Sequence, residues 1–166
     1  MIDYQARSQL AQAARALISG RITNDQFEDR QPKSNDLAIR EIFYRGFWPL
    51  YSDTSEHRLN GSHRLAAEDR QFAVRCIAFL KSGLPYSWPV LPLSASFWLR
   101  IRNVLTLGRA GRECEKYLRL VGDVTLWPFH SANQFADSLR SPVYLAGMGA
   151  NNSFKPNLSA GAAKSA

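Results

Sequence analysis

Cysteine is scarce: Cys76 and Cys114 are the only two in 166 residues, too few for a disulfide framework or a metal site built from thiolates alone. Histidine is nearly as rare, with only His57, His63 and His130. The chain has no Gly-rich phosphate loop, no nucleophile elbow and no paired-carboxylate pattern, so no motif announces a reaction. The opening MIDYQARSQLAQAARA lacks a basic segment leading into an apolar core, so no signal peptide is visible and a cytoplasmic location is expected. These absences lead to the expectation of a non-enzyme that carries no cofactor and no metal.

What the chain does have is ordinary globular composition, with 45% hydrophobic and 21% charged residues. That excludes a wholly disordered or collagen-like chain. The net charge of +7 is unevenly placed. Residues 1–60 balance 8 basic against 8 acidic groups, whereas residues 97–122 carry 6 against 2. The six are Arg100, Arg102, Arg109, Arg112, Lys116 and Arg119. Such a stretch raises the local potential and suits an acidic protein partner or phosphates, since Arg forks bind both bidentately. It also fits a solvated helix face with no partner. Arg109, Arg112, Lys116 and Arg119 are spaced 3, 4 and 3, which places them on one helix face.

Periodicity predicts a mainly α fold. Leu10, Ala13, Ala14, Leu17 and Ile18 recur with helical spacing, and Gly20 is a suitable stop. Thr23 or Asn24 can cap a short second helix through Phe27 and Asp29. A third is predicted from a Ser34/Asn35 cap to about Phe47, with Ile39, Ile42, Phe43 and Phe47 inward and Pro49 ending it. The loop 52–63 precedes a helix from Arg64 to Lys81 whose apolar set is Leu65, Phe72, Ala73, Cys76, Ile77 and Leu80. Residues 82–99 carry no charge, but Pro85, Pro89 and Pro92 argue for an extended connector over a membrane span. Helical patterns follow at 97–107 and 112–120. VTLW at 124–127 reads as a short strand, and Ser131 caps a last helix carrying Phe135 and Leu139 to Arg140. The expected organisation is one helical domain over 1–147 and a disordered tail over 148–166, because the tail's small polar residues cannot offset their ordering entropy.

Gly20, Ile22, Thr23, Phe27 and Glu28, after Leu17, resemble the helix–turn–helix signature of the SHOCT family of short bacterial segments. That resemblance over residues 17–28 implies a role in oligomerisation or partner binding. In the family the second helix continues with Lys and Leu, where this chain has Pro32. The tail beginning NNSFKP resembles C-terminal tails of otherwise unrelated bacterial proteins that look like translated repeat DNA.

Three of the four tryptophans precede proline: Trp48-Pro49, Trp88-Pro89 and Trp127-Pro128. Chance placement would give about 0.2 such pairs. Either the indoles are core and each proline forces an extended exit, or Trp48, Trp88 and Trp127 line one groove for an extended peptide. Around 56–69, His57 and His63 with Glu56, Glu68 and Asp69 offer a metal- or His-dependent site, though an i, i+6 pair is not a recurring ligand spacing. The leading expectation is a small interaction protein of adaptor or immunity type. Nucleic-acid binding through 100–119 comes next, and an enzyme around 56–69 after that.

Overall fold

The N-terminal helix begins where Asp3 can cap it: its carboxylate accepts the Ala6 amide at 2.9 Å. The structure is a computed structural model, and it describes residues 1–52, 54–90, 116 and 118–140. Helix α1 spans Tyr4–Ile18 and buries Leu10, Ala13, Ala14 and Leu17 of the stripe predicted from spacing, with Ala11 buried beside them and Ile18 half-buried. Gly20 follows with φ +67°, a conformation that a side chain would strain. Thr23 then opens α2, Asn24–Glu28, through a reciprocal capping box with Gln26.

The third helix is capped one residue later than the Ser34/Asn35 reading. Asp36 caps α3, Leu37–Glu41, by accepting the Ala38 amide at 3.0 Å, while Ser34 Oγ accepts the Asp36 amide. From Ile42 the turns widen into a π-helix, Ile42–Phe47, and a 3₁₀ turn, Trp48–Leu50, carries Pro49 out. Wide turns keep residues four apart aligned. Phe43 and Phe47 both point into the core, and Phe27 meets them at 5.3 and 5.6 Å.

Helix α4, Ala67–Ser82, starts at Ala67 rather than Arg64 and stops at Gly83 with φ +71°. It packs across α1 and against the π-helix, where a Cβ on Gly46 would stand 3.1 Å from Cys76 Sγ. Cys76 is fully buried and burial pushes its thiol up, so it behaves as a core residue. Phe79, absent from the sequence-derived set, is buried too.

From 83 to 90 the described connector has no regular structure, and Trp88 within it is buried. The predicted VTLW strand is instead a 3₁₀ turn, Val124–Leu126. Asp123 decides it, because its carboxylate accepts both the Thr125 amide at 2.9 Å and the Thr125 hydroxyl at 2.6 Å. That local turn outcompetes a strand. The Trp127-Pro128 peptide is cis. The last helix, α5, spans Ala132–Arg140; Phe135 packs on the core but Leu139 is exposed. The protein is thus mainly helical, and among the described residues there is no strand, only an isolated bridge between Thr23 and Arg58. The helix expected over 97–107, most of the one expected over 112–120, Cys114 and the 148–166 tail lie outside the described residues.

One ion pair ties the bundle together. Arg7 and Asp36 are both buried, with Arg7 Nε donating to Asp36 Oδ2 at 2.6 Å and Nη2 to Oδ1 at 3.0 Å. Arg7 Nη1 donates to the Leu84 carbonyl at 2.6 Å, and the Asp3 amide donates to Asp36 at 3.0 Å. Burial by itself would raise the Asp36 carboxyl. The hydrogen bonds from Arg7, the amides of Asp3 and Ala38 and the guanidinium charge outweigh it, so its pKa is lowered. A carboxyl held lower when folded contributes stability that is complete above its unfolded value, about 3.9. That contribution drains as pH falls through the folded value. Urea midpoints measured at about pH 5.5 and about pH 3 should therefore fall further in the wild type than in Asp36→Asn. Equal losses would mean that another group carries the acid sensitivity.

Candidate functional site

Burying Ile39, Ile42, Phe43 and Phe47 on one side of the third helix would ordinarily leave its other side polar. Here it does not. Leu37 is 44% exposed and Tyr44, two turns on, is 38% exposed. The Tyr44 ring meets Trp48 at 5.7 Å, and Trp48 meets Tyr51 at 6.4 Å. Trp48 and Tyr51 are half-buried and Pro49 beside them is exposed. Four positions apart, Tyr44 and Trp48 come to the same side, as Phe43 and Phe47 do on the inner side.

Cations are fixed beside the ladder. Glu41 is buried, yet its carboxylate accepts from Arg40 Nη2 at 3.0 Å and from Arg45 Nε at 3.1 Å. One anion thus positions two guanidinium groups, of which Arg40 is 51% exposed. The result is an apolar stripe with positive charge alongside, a combination that matches apolar side chains next to carboxylates.

The three Trp-Pro pairs separate. Trp88 is buried and its Nε1 donates to the Pro128 carbonyl at 2.9 Å, so one pair's indole binds the other pair's proline. Trp127 stacks on Phe72 at 5.8 Å and donates to the Tyr86 hydroxyl at 3.3 Å. Among the described residues no ring contact joins Trp48 to either of them. Of the basic segment, Lys116 and Arg119 are exposed near the helical turn 118–121, and Arg100, Arg102, Arg109 and Arg112 lie outside the described residues.

The loop over 56–63 is moored to the start of α2. Buried Asn24 exchanges two hydrogen bonds with His57: its amide donates to the His57 carbonyl at 3.0 Å, and its Oδ1 accepts the His57 amide at 2.8 Å. Its Nδ2 donates to the carbonyls of Ser52 and Ser55, both at 3.2 Å. Glu56 is taken up by the Thr23 hydroxyl at 2.7 Å. His57 and His63 do come together, their rings 4.3 Å apart and tilted by 36°. His57 Nδ1 lies 2.8 Å from the Ser55 carbonyl, so the backbone engages that nitrogen. Among the described residues no group of three or more His, Cys, Asp or Glu side chains is placed to hold an ion.

A constellation that sequence reading did not single out sits at the other end of the molecule. His130 Nε2 lies 2.7 Å from the Ser87 hydroxyl, and its Nδ1 lies 3.0 Å from the Val121 carbonyl. The ring stacks on Trp88 at 4.7 Å, only 5° from parallel. Its back rests on Gly122, where an added Cβ would stand 2.8 Å from Nδ1. Ser87 and His130 are 43 positions apart, so no local spacing could have paired them.

Among the described residues no helix is long and apolar enough to cross a membrane. Comparison of the chain with protein-family models, curated proteins and solved structures gave no match.

Proposed function

We propose that the chain is a protein-interaction module of adaptor or immunity type, working in the cytoplasm by covering a partner's surface with the stripe of Leu37, Tyr44 and Trp48. The observation that carries this reading is a helix apolar on both sides. Its inner side is spent on the core, while on the outer side Leu37 and Tyr44 stay exposed among the described residues. Each Å² of such surface withdrawn from water is worth about 25 cal/mol. Aromatic residues anchored on a rigid helix lose little freedom on binding, which is why they dominate protein contacts. Arg40 and Arg45 beside the stripe, and the net charge of +7, favour a partner segment that mixes apolar side chains with carboxylates.

The test uses immobilised wild-type chain and a Tyr44→Ala variant in lysate, with half of each sample nuclease-treated. One discrete protein should bind the wild type in both halves, and Tyr44→Ala should weaken its capture about tenfold or more while keeping the wild-type far-UV circular dichroism. Equal capture by the variant, or capture of nothing, overturns the reading. Material lost with nuclease and with rising salt also overturns it. That outcome would move the function to phosphate contacts made by Arg100, Arg102, Arg109, Arg112, Lys116 and Arg119.

A further inference from the structure

We infer that Ser87 and His130 form a nucleophile–base pair that can take an acyl group from a small carboxylic ester. The pair is separate from the interaction surface, uses different residues and requires no partner protein.

The protonation pattern is set by what each neighbour can do. The Val121 carbonyl can only accept, so the neutral imidazole carries its proton on Nδ1 and donates there. Nε2 is then left with a lone pair, and the only hydrogen at the 2.7 Å contact is that of the Ser87 hydroxyl. This is the arrangement that activates a serine: hydroxyl donating to base, and base oriented by a third group. In this chain the orienting acceptor is a backbone carbonyl in place of a carboxylate. Packing fixes the ring as well, with Trp88 on one face and Gly122 behind.

The nucleophile is presented with equal care. Its neighbours Tyr86 and Trp88 are each anchored, Tyr86 against Phe79 and Trp127 and Trp88 through its bond to Pro128. Ser87, between them, is exposed. An acyl donor can therefore reach Oγ from solvent.

The chemistry closes without any further reagent than water. As Ser87 Oγ bonds to the ester carbonyl carbon, its proton passes to His130 Nε2. The tetrahedral adduct then breaks the bond to the alkoxy oxygen, which leaves as alcohol with the proton from Nε2. Water attacks the acyl-serine, giving its proton to Nε2. Collapse releases the carboxylic acid, and the proton returns to Ser87 Oγ. One ester and one water become one acid and one alcohol.

A fluorophosphonate probe tests this on the full chain, because it phosphonylates a serine activated by an adjacent base far faster than an ordinary hydroxyl. Peptide mapping should place the adduct on Ser87. Ser87→Ala should abolish the labelling, and His130→Phe should slow it about a hundredfold. Phenylalanine keeps a flat ring on Trp88 but has no nitrogen, so near-UV circular dichroism should match the wild type. If that variant does not fold, the wild-type map and the hydrolysis of 4-nitrophenyl acetate decide alone. An initial burst in the wild type that is missing in Ser87→Ala supports the pair. No adduct on Ser87, or labelling of a folded His130→Phe at the wild-type rate, overturns it.

Discussion

Replacing Arg7 with methionine is expected to cost about 3–5 kcal/mol of folding stability. Few domains of this size have more than about 5–15 kcal/mol in total, so much of the population would unfold in mild urea. Methionine fills the same channel, which makes the loss one of charge and hydrogen bonds rather than of volume. The Asp36 carboxylate would remain buried with only the Asp3 and Ala38 amides to hold it, and the Leu84 carbonyl would lose its donor. Stranding a buried charge is what makes such a change severe. Arg7→Lys should fall between, because an ammonium can reach one oxygen but cannot span both and the carbonyl together. The double variant Arg7→Met with Asp36→Asn should regain part of the loss, since neither side is then charged. Urea unfolding of the wild type, Arg7→Met, Asp36→Asn and the double variant gives the coupling, expected at about 1–3 kcal/mol. A single-variant loss below about 1 kcal/mol would mean that water reaches the pair and screens it.

Phe79→Ala should be comparably damaging, by about 3–5 kcal/mol. Its ring is 1% exposed and meets Phe129 at 5.2 Å and Tyr86 at 6.2 Å, with the Arg7 guanidinium 5.7 Å over its face. Removing it opens a cavity at the point where α1, α4 and the 127–130 segment meet. Val74, on the same helix but 47% exposed, provides the control: Val74→Ala should stay within about 0.5 kcal/mol. Similar losses at the two positions would place Phe79 outside the core. The fluorescence of Trp88 and Trp127 should shift in the first variant only, because both indoles lean on that junction.

Phe79 also explains where sequence reading stops. Ala73, Cys76, Ile77 and Leu80 trace one stripe, and Phe79 lies beside it; the helix buries a wider band because α1 and α5 both pack against it. Helix α1 was legible to within a residue, since its period is clean, Gly20 marks its end and Thr23 opens the next helix. The π-helix was not, because the apolar spacing of Ile39, Ile42, Phe43 and Phe47 is the same in both kinds of turn. The strand expected at 124–127 failed to a side chain just outside it, Asp123. Arg7 did leave a trace: it stands three residues before Leu10 and seven before Ala14, on the apolar stripe itself. A charge at such a position signals a buried partner. The outward ladder was half visible, through Trp48-Pro49, while Tyr44 and Tyr51 gave no pattern. Ser87 and His130 gave none at all, because only tertiary packing brings them together.

The wiring of Arg7 has a consequence for a chain made one residue at a time. Asp36 follows it after 29 positions and Leu84 only after 77. On the ribosome the first forty residues can therefore settle their charge early, long before the last acceptor has been made. The guanidinium then waits, with one arm unclaimed, until the far end of α4 emerges and docks. The joint between α1 and the cap of α3 is thus a clasp rather than a bead on a string: cut off on its own it would carry an unfinished bond, and grafted elsewhere it would need a new carbonyl to close on.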